Sequence, residues 1–311
     1  MNELQIALIV PCYNEEKTIV QVIKSFKAVM PQINIYVYDN NSTDQTIEKA
    51  KATGANVYSV NYQGKGNVVR KMFADIDADV YVMVDGDDTY DAKSVPTLIN
   101  ALIENKLDMV TGKRVSSEAE AYRHGHRFGN MLLTGIVAMV FGKQFEDMLT
   151  GYRVFSKRFV KSFPSSAKGF EVETELTIHA LEQRLPVTEI ETPYGVRPEG
   201  SESKLNTYSD GLKILRVIFH LIKEEKPFQF FSVIALLLLL TSMVLMWPIF
   251  LTYIETGLVP RFPTAILATG IVLLSFLSLA SGVILNAVAQ GRKEVKRFQY
   301  MLYSSVSNKK I

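Results

Sequence analysis

Cysteine is almost absent from this sequence of 311 residues, and its scarcity limits the chemistry available to the protein. The single cysteine, Cys12, cannot form an intrachain disulfide, and one cysteine argues against a cysteine-based zinc site. No histidine lies near Cys12 in the sequence, so we expect a small packed side chain there rather than a nucleophile. A net charge of only +2 argues against a nucleic-acid partner held mainly through its phosphates.

Charged residues are missing from two long apolar runs, residues 230–254 and 262–290. A helix needs about 20 apolar residues to cross the hydrocarbon core of a bilayer, and both runs exceed that length. We therefore predict a transmembrane hairpin rather than a buried pair of soluble helices. Ser278 and Gly282 form a small-xxx-small pair in the second run, which fits close packing within the hairpin and equally an interface in a homo-oligomer.

Basic residues flank the two apolar runs on the outside, whereas the loop between the runs holds Arg261 alone. The flanking residues are Lys223, Lys226, Arg292, Lys293, Lys296 and Arg297. The positive-inside rule then predicts that the N-terminal region and the C-terminal tail both lie in the cytoplasm, with the hairpin in the cytoplasmic membrane. We divide the chain into a large domain 1–215, a juxtamembrane segment 216–228, the hairpin 229–290 and a basic tail 291–311.

Strand and helix patterns alternate through roughly the first 113 residues. Apolar runs typical of buried strands are IALIVP, NIYVYD, ANVYSV, DVYVMV and LDMVTG. Segments with helical spacing separate them, for example EEKTIVQVIKSFKAVM and GNVVRKMFADID. Such alternation predicts βαβ units, and therefore an α/β fold with a mainly parallel sheet flanked by helices.

Polar clusters follow four of the predicted strands: PCYNEE, DNNSTD, QGKGN and DGDD. Turn chemistry alone explains some polar residues at each place. Ligands of open α/β sheets bind beyond the carboxyl ends of the strands, however, and all four clusters would meet there. The fingerprint G-x-G-x-x-G of dinucleotide-binding folds and the phosphate-binding loop G-x-x-x-x-G-K-[ST] are both absent.

The fourth cluster places Asp85, Asp87 and Asp88 around Gly86, directly after a buried strand. Carboxylates this close repel one another unless a cation lies between them. Mg²⁺ typically takes one or two carboxylates and completes its shell with substrate phosphates and water. The cluster therefore predicts a divalent cation that neutralises a diphosphate.

These four clusters, in this order, resemble family 2 glycosyltransferases of the GT-A fold. The later motifs DMLTGYRVFS, GFEVETELTIHALE and YGVRPEGSESKL, followed by a membrane hairpin, resemble the polyisoprenyl-phosphate branch of that family. This branch includes dolichyl-phosphate mannose synthases and bacterial undecaprenyl-phosphate glucosyltransferases. The resemblance implies a GT-A catalytic domain, amphipathic helices at the membrane interface and the C-terminal hairpin as an anchor.

The resemblance also implies a site for a nucleotide-diphosphate sugar. The implied donor-binding residues are Pro11, Tyr13, Glu15, Asp39, Lys65, Asp85, Arg197 and Lys204, with Asp39 at the base and Arg197 clamping the diphosphate. Asp85 and Asp87 correspond to the D-x-D pair, which serves the ribose or a metal ion, Mg²⁺ or Mn²⁺. Some relatives place a further glutamine ligand where this sequence has Thr89.

A lipid phosphate acceptor needs cations of its own. Arg114 matches a family position that contacts the acceptor phosphate, and Arg123 and Arg127 are candidates from the segment RHGHRFGNMLLTGIVAMVFGK. This segment and YSDGLKILRVIFHLIKEEKP fit interfacial amphipathic helices, although core helices packed on the sheet have the same pattern. RPEGSESK, rich in glycine, serine and charge, has the composition of a mobile lid.

The implied reaction is an inverting single displacement, which transfers a hexose from a nucleotide diphosphate to a polyprenyl phosphate. Asp87, Arg114, Asp147 and Arg197 are the residues to which we assign catalysis. A phosphate monoester is already largely dianionic at neutral pH, so the acceptor needs no strong base. We therefore expect Asp147 to orient Arg153 or the sugar, although some relatives are assigned a base here and a helix cap fits equally well.

Glutamates 171, 173 and 175 alternate, and this pattern favours a solvated helix face over contacts in the sugar pocket.

The likeness to bacterial lipid-glycosylating enzymes favours a UDP-hexose donor and a product used in cell-surface glycan synthesis, such as lipopolysaccharide modification. A GDP-mannose donor is the alternative.

A processive polysaccharide synthase is excluded, because its Q-x-x-R-W motif cannot include Trp247, the only tryptophan, which lies within an apolar run. A non-catalytic sugar-nucleotide sensor would not need the acceptor cations.

Overall fold

The computed structural model describes residues 4–115, 145–165, 167–169, 171–196 and 226–306, together with residues 135, 216, 219, 223 and 224. Several predicted features lie outside these residues. They are the lid and most of both amphipathic segments, and the side chains of Arg123, Arg127, Arg197 and Lys204.

A seven-stranded sheet forms the centre of the N-terminal region, in the order β3-β2-β1-β4-β6-β5-β7. The strands are β1 Ile6–Cys12, β2 Asn34–Asp39, β3 Asn56–Ser59, β4 Val80–Met83, β5 Met109–Val115, β6 Arg153–Ser156 and β7 Val187–Pro193. Strand β6 runs antiparallel to both of its neighbours, and the other six strands share one direction. The predicted mainly parallel α/β sheet is confirmed.

Helices cover the two faces of this sheet. They are α1 Ile19–Val29, α2 Thr46–Ala52, α3 Lys65–Asp75, α4 Val95–Glu104, α5 Lys157–Ser162 and α6 Val172–Gln183. All four residues of β4 are buried, as expected for a central strand with helices on both faces. Phe26 of α1 packs edge-on against Tyr152 with the ring centroids 6.1 Å apart, which joins the first helix to the antiparallel part of the sheet.

Three of the turns that follow parallel strands contain a residue in the left-handed conformation. These residues are Asn14 after β1, Asn41 after β2 and Asp88 after β4, with φ of 51°, 64° and 58°. Asparagine and aspartate tolerate this conformation better than other residues with a β-carbon. The polar clusters at the strand ends therefore have a local structural reason, whatever they bind.

Residues close to the C-terminus pack with the N-terminal region. The chain divides into one compact unit of residues 1–216 with 296–311, and another of residues 217–295. The Tyr300 hydroxyl donates to Asp108 Oδ2 at 2.8 Å, and the Arg158 guanidinium lies 4.7 Å from the centre of the Tyr300 ring. Lys296 pairs with Glu182 at 2.7 Å. The described residues 296–306 therefore belong to the first unit.

The second unit contains two long apolar helices, α7 Pro227–Thr256 and α8, whose full span is Phe262–Met301. Their most apolar windows have mean hydropathies of 2.5 and 2.3, and only 17% and 11% of those windows is buried. The core helix of a soluble protein would be mostly buried, so these exposed apolar surfaces suit a membrane hairpin.

Serine hydroxyls join the two helices of the hairpin. Ser242 donates to the carbonyl of Ala268, and Ser275 donates to that of Ala235, both at 2.8 Å. Ser278 donates to the Phe231 carbonyl, and Gly282 lies against the same residue. The small-xxx-small pair therefore packs within the hairpin.

Candidate active site

The carboxyl ends of the parallel strands meet at one edge of the sheet, where asparagine side chains tie neighbouring turns together. Asn40, directly after β2, accepts the amide of Gly64 at 2.6 Å and donates to the carbonyl of Tyr62 at 2.9 Å. Its own backbone amide donates to the carbonyl of Cys12 at 2.8 Å. The turns after β1, β2 and β3 thus form one connected surface.

The acidic turn after β4 is held by the turn after β1. The Thr18 hydroxyl donates to the carbonyl of Gly86 at 2.6 Å. A β-carbon on Gly86 would lie 2.9 Å from Cys12 Sγ and 3.4 Å from Glu15 Cγ, so only glycine fits there without displacement. Cys12 is buried, as predicted, and Glu15 is 9% exposed. Glu15 therefore packs directly against the D-x-D turn.

Lys65, the first residue of α3, lies between two carboxylates. Its Nζ is 2.5 Å from Asp85 Oδ1 and 2.5 Å from Glu173 Oε1. Burial alone would lower the pKa of Lys65, but the two carboxylates outweigh that effect and raise the pKa above its ordinary value. The Asp85 side chain is 28% exposed, whereas that of Glu173 is 5% exposed.

Asp85 also sits against the turn that precedes β6. A β-carbon on Gly151 would collide with Asp85 Oδ2 and would lie 2.9 Å from its Cγ. The amide of Gly151 donates to the Tyr90 hydroxyl at 2.8 Å. Glycine at position 151 thus allows the close approach of Asp85.

Asp87 and Asp88 continue the acidic turn. The amide and the hydroxyl of Thr89 both donate to Asp87 Oδ1, at 3.3 and 2.6 Å. Burial and the neighbouring Asp87 raise the pKa of Asp88. No cluster of three metal-binding side chains occurs within the described residues. The carboxylates of Asp85 and Asp87 nevertheless fit a cation that takes only one or two protein ligands, as Mg²⁺ does with a bound diphosphate.

At the end of β5, Arg114 forms a two-point ion pair with Asp147. Its Nε donates to Oδ2 and its Nη2 to Oδ1, both at 2.7 Å. Burial raises the pKa of Asp147, but hydrogen bonds from Arg114 outweigh it and leave the pKa below its ordinary value. Arg114 also lies 5.4 Å from the centre of the Tyr194 ring.

The expected orientation of Arg153 by Asp147 is not what the structure shows. Arg153 is fully buried, and its guanidinium donates to the carbonyls of Met148 and Thr150 and to the Thr177 hydroxyl. Arg153 therefore stabilises the segments around β6, whereas Asp147 pairs with Arg114. The amides of Glu146 and Asp147 donate in turn to the Glu189 carboxylate, at 2.6 and 3.1 Å, which fixes the backbone at that acid.

Asp39 ends β2 and is 1% exposed. Its Oδ2 accepts the Ser42 amide at 3.0 Å, whereas Oδ1 has no hydrogen-bond partner among the described residues. A buried carboxylate oxygen without a donor is costly, so this atom is a natural acceptor for a ligand N–H. Pro11 and Tyr13, both partly buried, lie at and just after the end of β1.

The structure brings Lys65, Asp85, Asp87 and Arg114 to the same edge of the sheet. Sequence reasoning missed Glu173, because alternating glutamates also suit a solvated helix face. It also gave no role to Tyr90 and Gly151. The only sequence signal for these residues was that each lies within or beside a quoted motif.

The comparisons with known proteins agree with this geometry. The family model described as Glycosyl transferase family 2 matches residues 7–163. Glycosyltransferase AglJ of Haloferax volcanii is 32% identical over 229 residues, covering 73% of this chain and 75% of the relative. A dolichyl-phosphate hexose transferase of the same organism is 27% identical over 71% of this chain and 95% of its own.

Among solved structures, glucosyl-3-phosphoglycerate synthase from Mycobacterium tuberculosis with Mn²⁺ and UDP-glucose has a TM-score of 0.57 and 25% identity. The match covers 71% of this chain and 78% of that one. The sheet order, the strand-end clusters and these matches lead to one conclusion: the chain belongs to glycosyl transferase family 2, has the GT-A fold and is a glycosyltransferase.

Proposed function

We propose that this enzyme transfers a hexose from a nucleotide-diphosphate sugar, a UDP-hexose, to a polyprenyl phosphate such as undecaprenyl phosphate. The proposal rests on one observation: a short series of contacts links the acidic turn at Asp85 to the guanidinium of Arg114. The Tyr90 hydroxyl accepts the amide of Gly151, the glycine that adjoins Asp85. The Tyr90 ring contacts that of Tyr194, with centroids 5.3 Å apart, and Tyr194 lies beneath Arg114.

The donor side consists of the turns after β1 to β4. Asp39 Oδ1, buried and without a partner in the described part of the chain, would accept an N–H of the base. Pro11, Tyr13 and Glu15 would line the nucleotide pocket, and Arg197 and Lys204 would bind the diphosphate. The solved relative that binds UDP-glucose with Mn²⁺ supports a UDP-sugar.

A divalent cation, Mg²⁺ or Mn²⁺, would be held by Asp87 and Asp85. When bound, such an ion neutralises charge that develops on the leaving diphosphate. Thr89 holds Asp87 in place through its hydroxyl and amide, and so orients the carboxylate before any ligand arrives.

The acceptor side is built on Arg114. Its planar guanidinium suits a phosphate, and Asp147 fixes the orientation of that guanidinium through two hydrogen bonds. Arg123 and Arg127 would assist at the membrane surface. The dolichyl-phosphate relative supports a lipid phosphate as the acceptor.

In the reaction, an oxygen of the acceptor phosphate attacks the anomeric carbon of the sugar as the bond to the nucleoside diphosphate breaks, with inversion at that carbon. The acceptor needs no deprotonation, because its second pKa is about 6. Asp147 is suited to positioning rather than to base catalysis, since a base works best with a pKa near the operating pH and its own pKa is lowered.

The two apolar helices would anchor the enzyme in the cytoplasmic membrane with the active site in the cytoplasm. There it would meet both a soluble nucleotide sugar and a lipid carrier. The glycolipid product would then supply a second transferase in the synthesis or modification of a cell-surface glycan.

The full chain in lipid nanodiscs with undecaprenyl phosphate and MnCl₂ would test the proposal. We would supply radiolabelled UDP-glucose, UDP-galactose, UDP-N-acetylglucosamine or GDP-mannose and count label in the lipid extract. A UDP-hexose should label the lipid with equal release of UDP, and Asp87→Asn should abolish labelling. Asp77→Asn, at an exposed acid paired with Lys157, is the matched control.

Labelling by GDP-mannose alone would refute the UDP-hexose donor in favour of a mannosyltransferase. Nucleotide binding without any transfer would instead identify a sensor and refute the proposed reaction.

A further inference from the structure

Counted as formal charges, the cluster of Lys65, Asp85 and Glu173 contains one more negative than positive charge. Burial raises the pKa of Glu173, and the contact with Lys65 opposes that effect. Lys65 Nζ is 2.5 Å from a carboxylate oxygen of each acid. Only 10% of the Lys65 side chain is exposed, so water does little to stabilise its charge. Its position in the first turn of α3 adds a further cost, because the positive end of the helix dipole disfavours a cation there.

One carboxylate would be enough to neutralise Lys65. If Asp85 were its only partner, however, its negative charge would be offset by Lys65 and less available to a cation. With Glu173 as the second partner, the three charges sum to −1, and Asp85, the more exposed of the two acids, lies at the strand-end surface. Glu173 therefore leaves net negative charge at the D-x-D turn.

Close backbone contacts hold Lys65 near α6. A β-carbon on Gly64 would collide with the carbonyl oxygen of Lys168, and one on Gly66 with that of Ala167. The amide of Gly66 donates to the carbonyls of Lys168 and Gly169, both at 3.1 Å. The turn around Lys65 and the segment leading into α6 are thus packed as one piece.

The environment of Glu173 differs from that of a buried acid whose only role is to stabilise the fold. Its Oε2 is buried and has no hydrogen-bond partner among the residues that the structure describes. A buried carboxylate with an unsatisfied oxygen lowers stability, and such groups cluster where function requires them.

We propose that Glu173 is a positioning residue of the donor site, which acts through Lys65: by pairing with Lys65 it leaves the negative charge of Asp85 available to the metal–diphosphate complex. The inference rests on the proposed function, because it assumes that a metal-bound nucleotide occupies this edge. Removing the Glu173 charge lets Lys65 offset the charge of Asp85. Binding that depends on the metal then weakens, whereas metal-free binding of the anionic nucleotide does not.

Calorimetric titration of UDP into the full-length protein, with Mn²⁺ and without it, measures this effect as the ratio of the two dissociation constants. Glu173→Gln should reduce the factor by which Mn²⁺ tightens UDP binding about tenfold, as expected for one screened charge nearby. Glu173→Asp, which keeps the charge, should retain most of it. The control is Glu171→Gln, since Glu171 accepts the amides of Lys168 and Gly169 and a glutamine oxygen can do the same.

A double-mutant cycle tests whether Glu173 acts through Lys65. In a Lys65→Gln background no cation offsets the charge of Asp85, so Glu173→Gln should change the factor by which Mn²⁺ tightens UDP binding less than it does in the unaltered protein. Thermal unfolding followed by circular dichroism identifies any variant that fails to fold.

An unchanged ratio in Glu173→Gln, or an equal loss in Glu173→Asp, would overturn the inference while leaving the proposed function intact. Absence of UDP binding by the unaltered protein under both conditions would overturn the proposed UDP-sugar function itself.

Discussion

Replacing Asp147 by asparagine should weaken the use of the lipid acceptor while leaving nucleotide binding intact. Arg114 donates two hydrogen bonds to the Asp147 carboxylate, both at 2.7 Å. Asparagine retains one acceptor oxygen but presents an amide N–H₂ to the other donor and loses the charge. The lost charge-assisted bond is worth about 1.5–3 kcal/mol.

If Arg114 binds the acceptor phosphate, this loss appears as a fall of about ten- to a hundredfold in kcat/KM for undecaprenyl phosphate. Lipid labelling at varied acceptor concentration and calorimetry with UDP measure the two sides of the site separately. Glu191→Gln is the matched control, because Glu191 on β7 pairs with Lys113, the neighbour of Arg114 on β5, but its side chain is 67% exposed. Such a surface pair contributes about 0–1 kcal/mol.

The pH dependence separates positioning from base catalysis. The acceptor phosphate, with a second pKa of about 6, sets the acidic limb of the rate profile. That limb should persist in Asp147→Asn. A variant with unchanged acceptor KM, a collapsed kcat and no acidic limb would show that Asp147 is the base, and would refute the reasoning.

Two further predictions concern the surroundings of the site. Gly151→Ala should displace the Asp85 carboxylate and weaken Mn²⁺-dependent UDP binding, measured by calorimetry; Gly195→Ala, whose nearest contact would be 3.7 Å away, should not. Burial, aided by the charge of Lys296, lowers the pKa of His179 to about 3. Between about pH 6.5 and 3 the unfolded state binds a proton that the folded state does not, so stability falls by about 1.4 kcal/mol per pH unit as the pH drops. His179→Gln should flatten this loss in thermal melts, and an equally steep loss would contradict the assignment.

Much of the fold could be predicted from the sequence because its signals are local. Buried parallel strands form continuous apolar runs, and the turns after them need polar residues that tolerate left-handed backbone, as Asn14 and Asp88 do. The absence of charge over the two C-terminal runs predicted the long apolar helices for the same reason. The acidic turn at Asp85 and Asp87 was also visible, since its three acids and glycine are adjacent.

Partnerships between side chains distant in sequence could not be predicted in this way. The sequence suggested that Asp147 orients the neighbouring Arg153 or the sugar, but the sheet order places β5 beside β6 and brings Arg114 to Asp147 across 33 residues. The C-terminal tail gave only a count of basic residues, whereas Tyr300 reaches the buried Asp108.

By itself, the sequence determined the alternation of strands and helices through about residue 113, the family motifs and the apolar hairpin, because each depends on residues within a few positions of one another. The tertiary structure alone decided which charges meet. Glu173 has the pattern of a solvated helical residue, yet α6 packs beside the start of α3 and buries it against Lys65. Charge pairing depends on distance in space, and local periodicity carries no record of it.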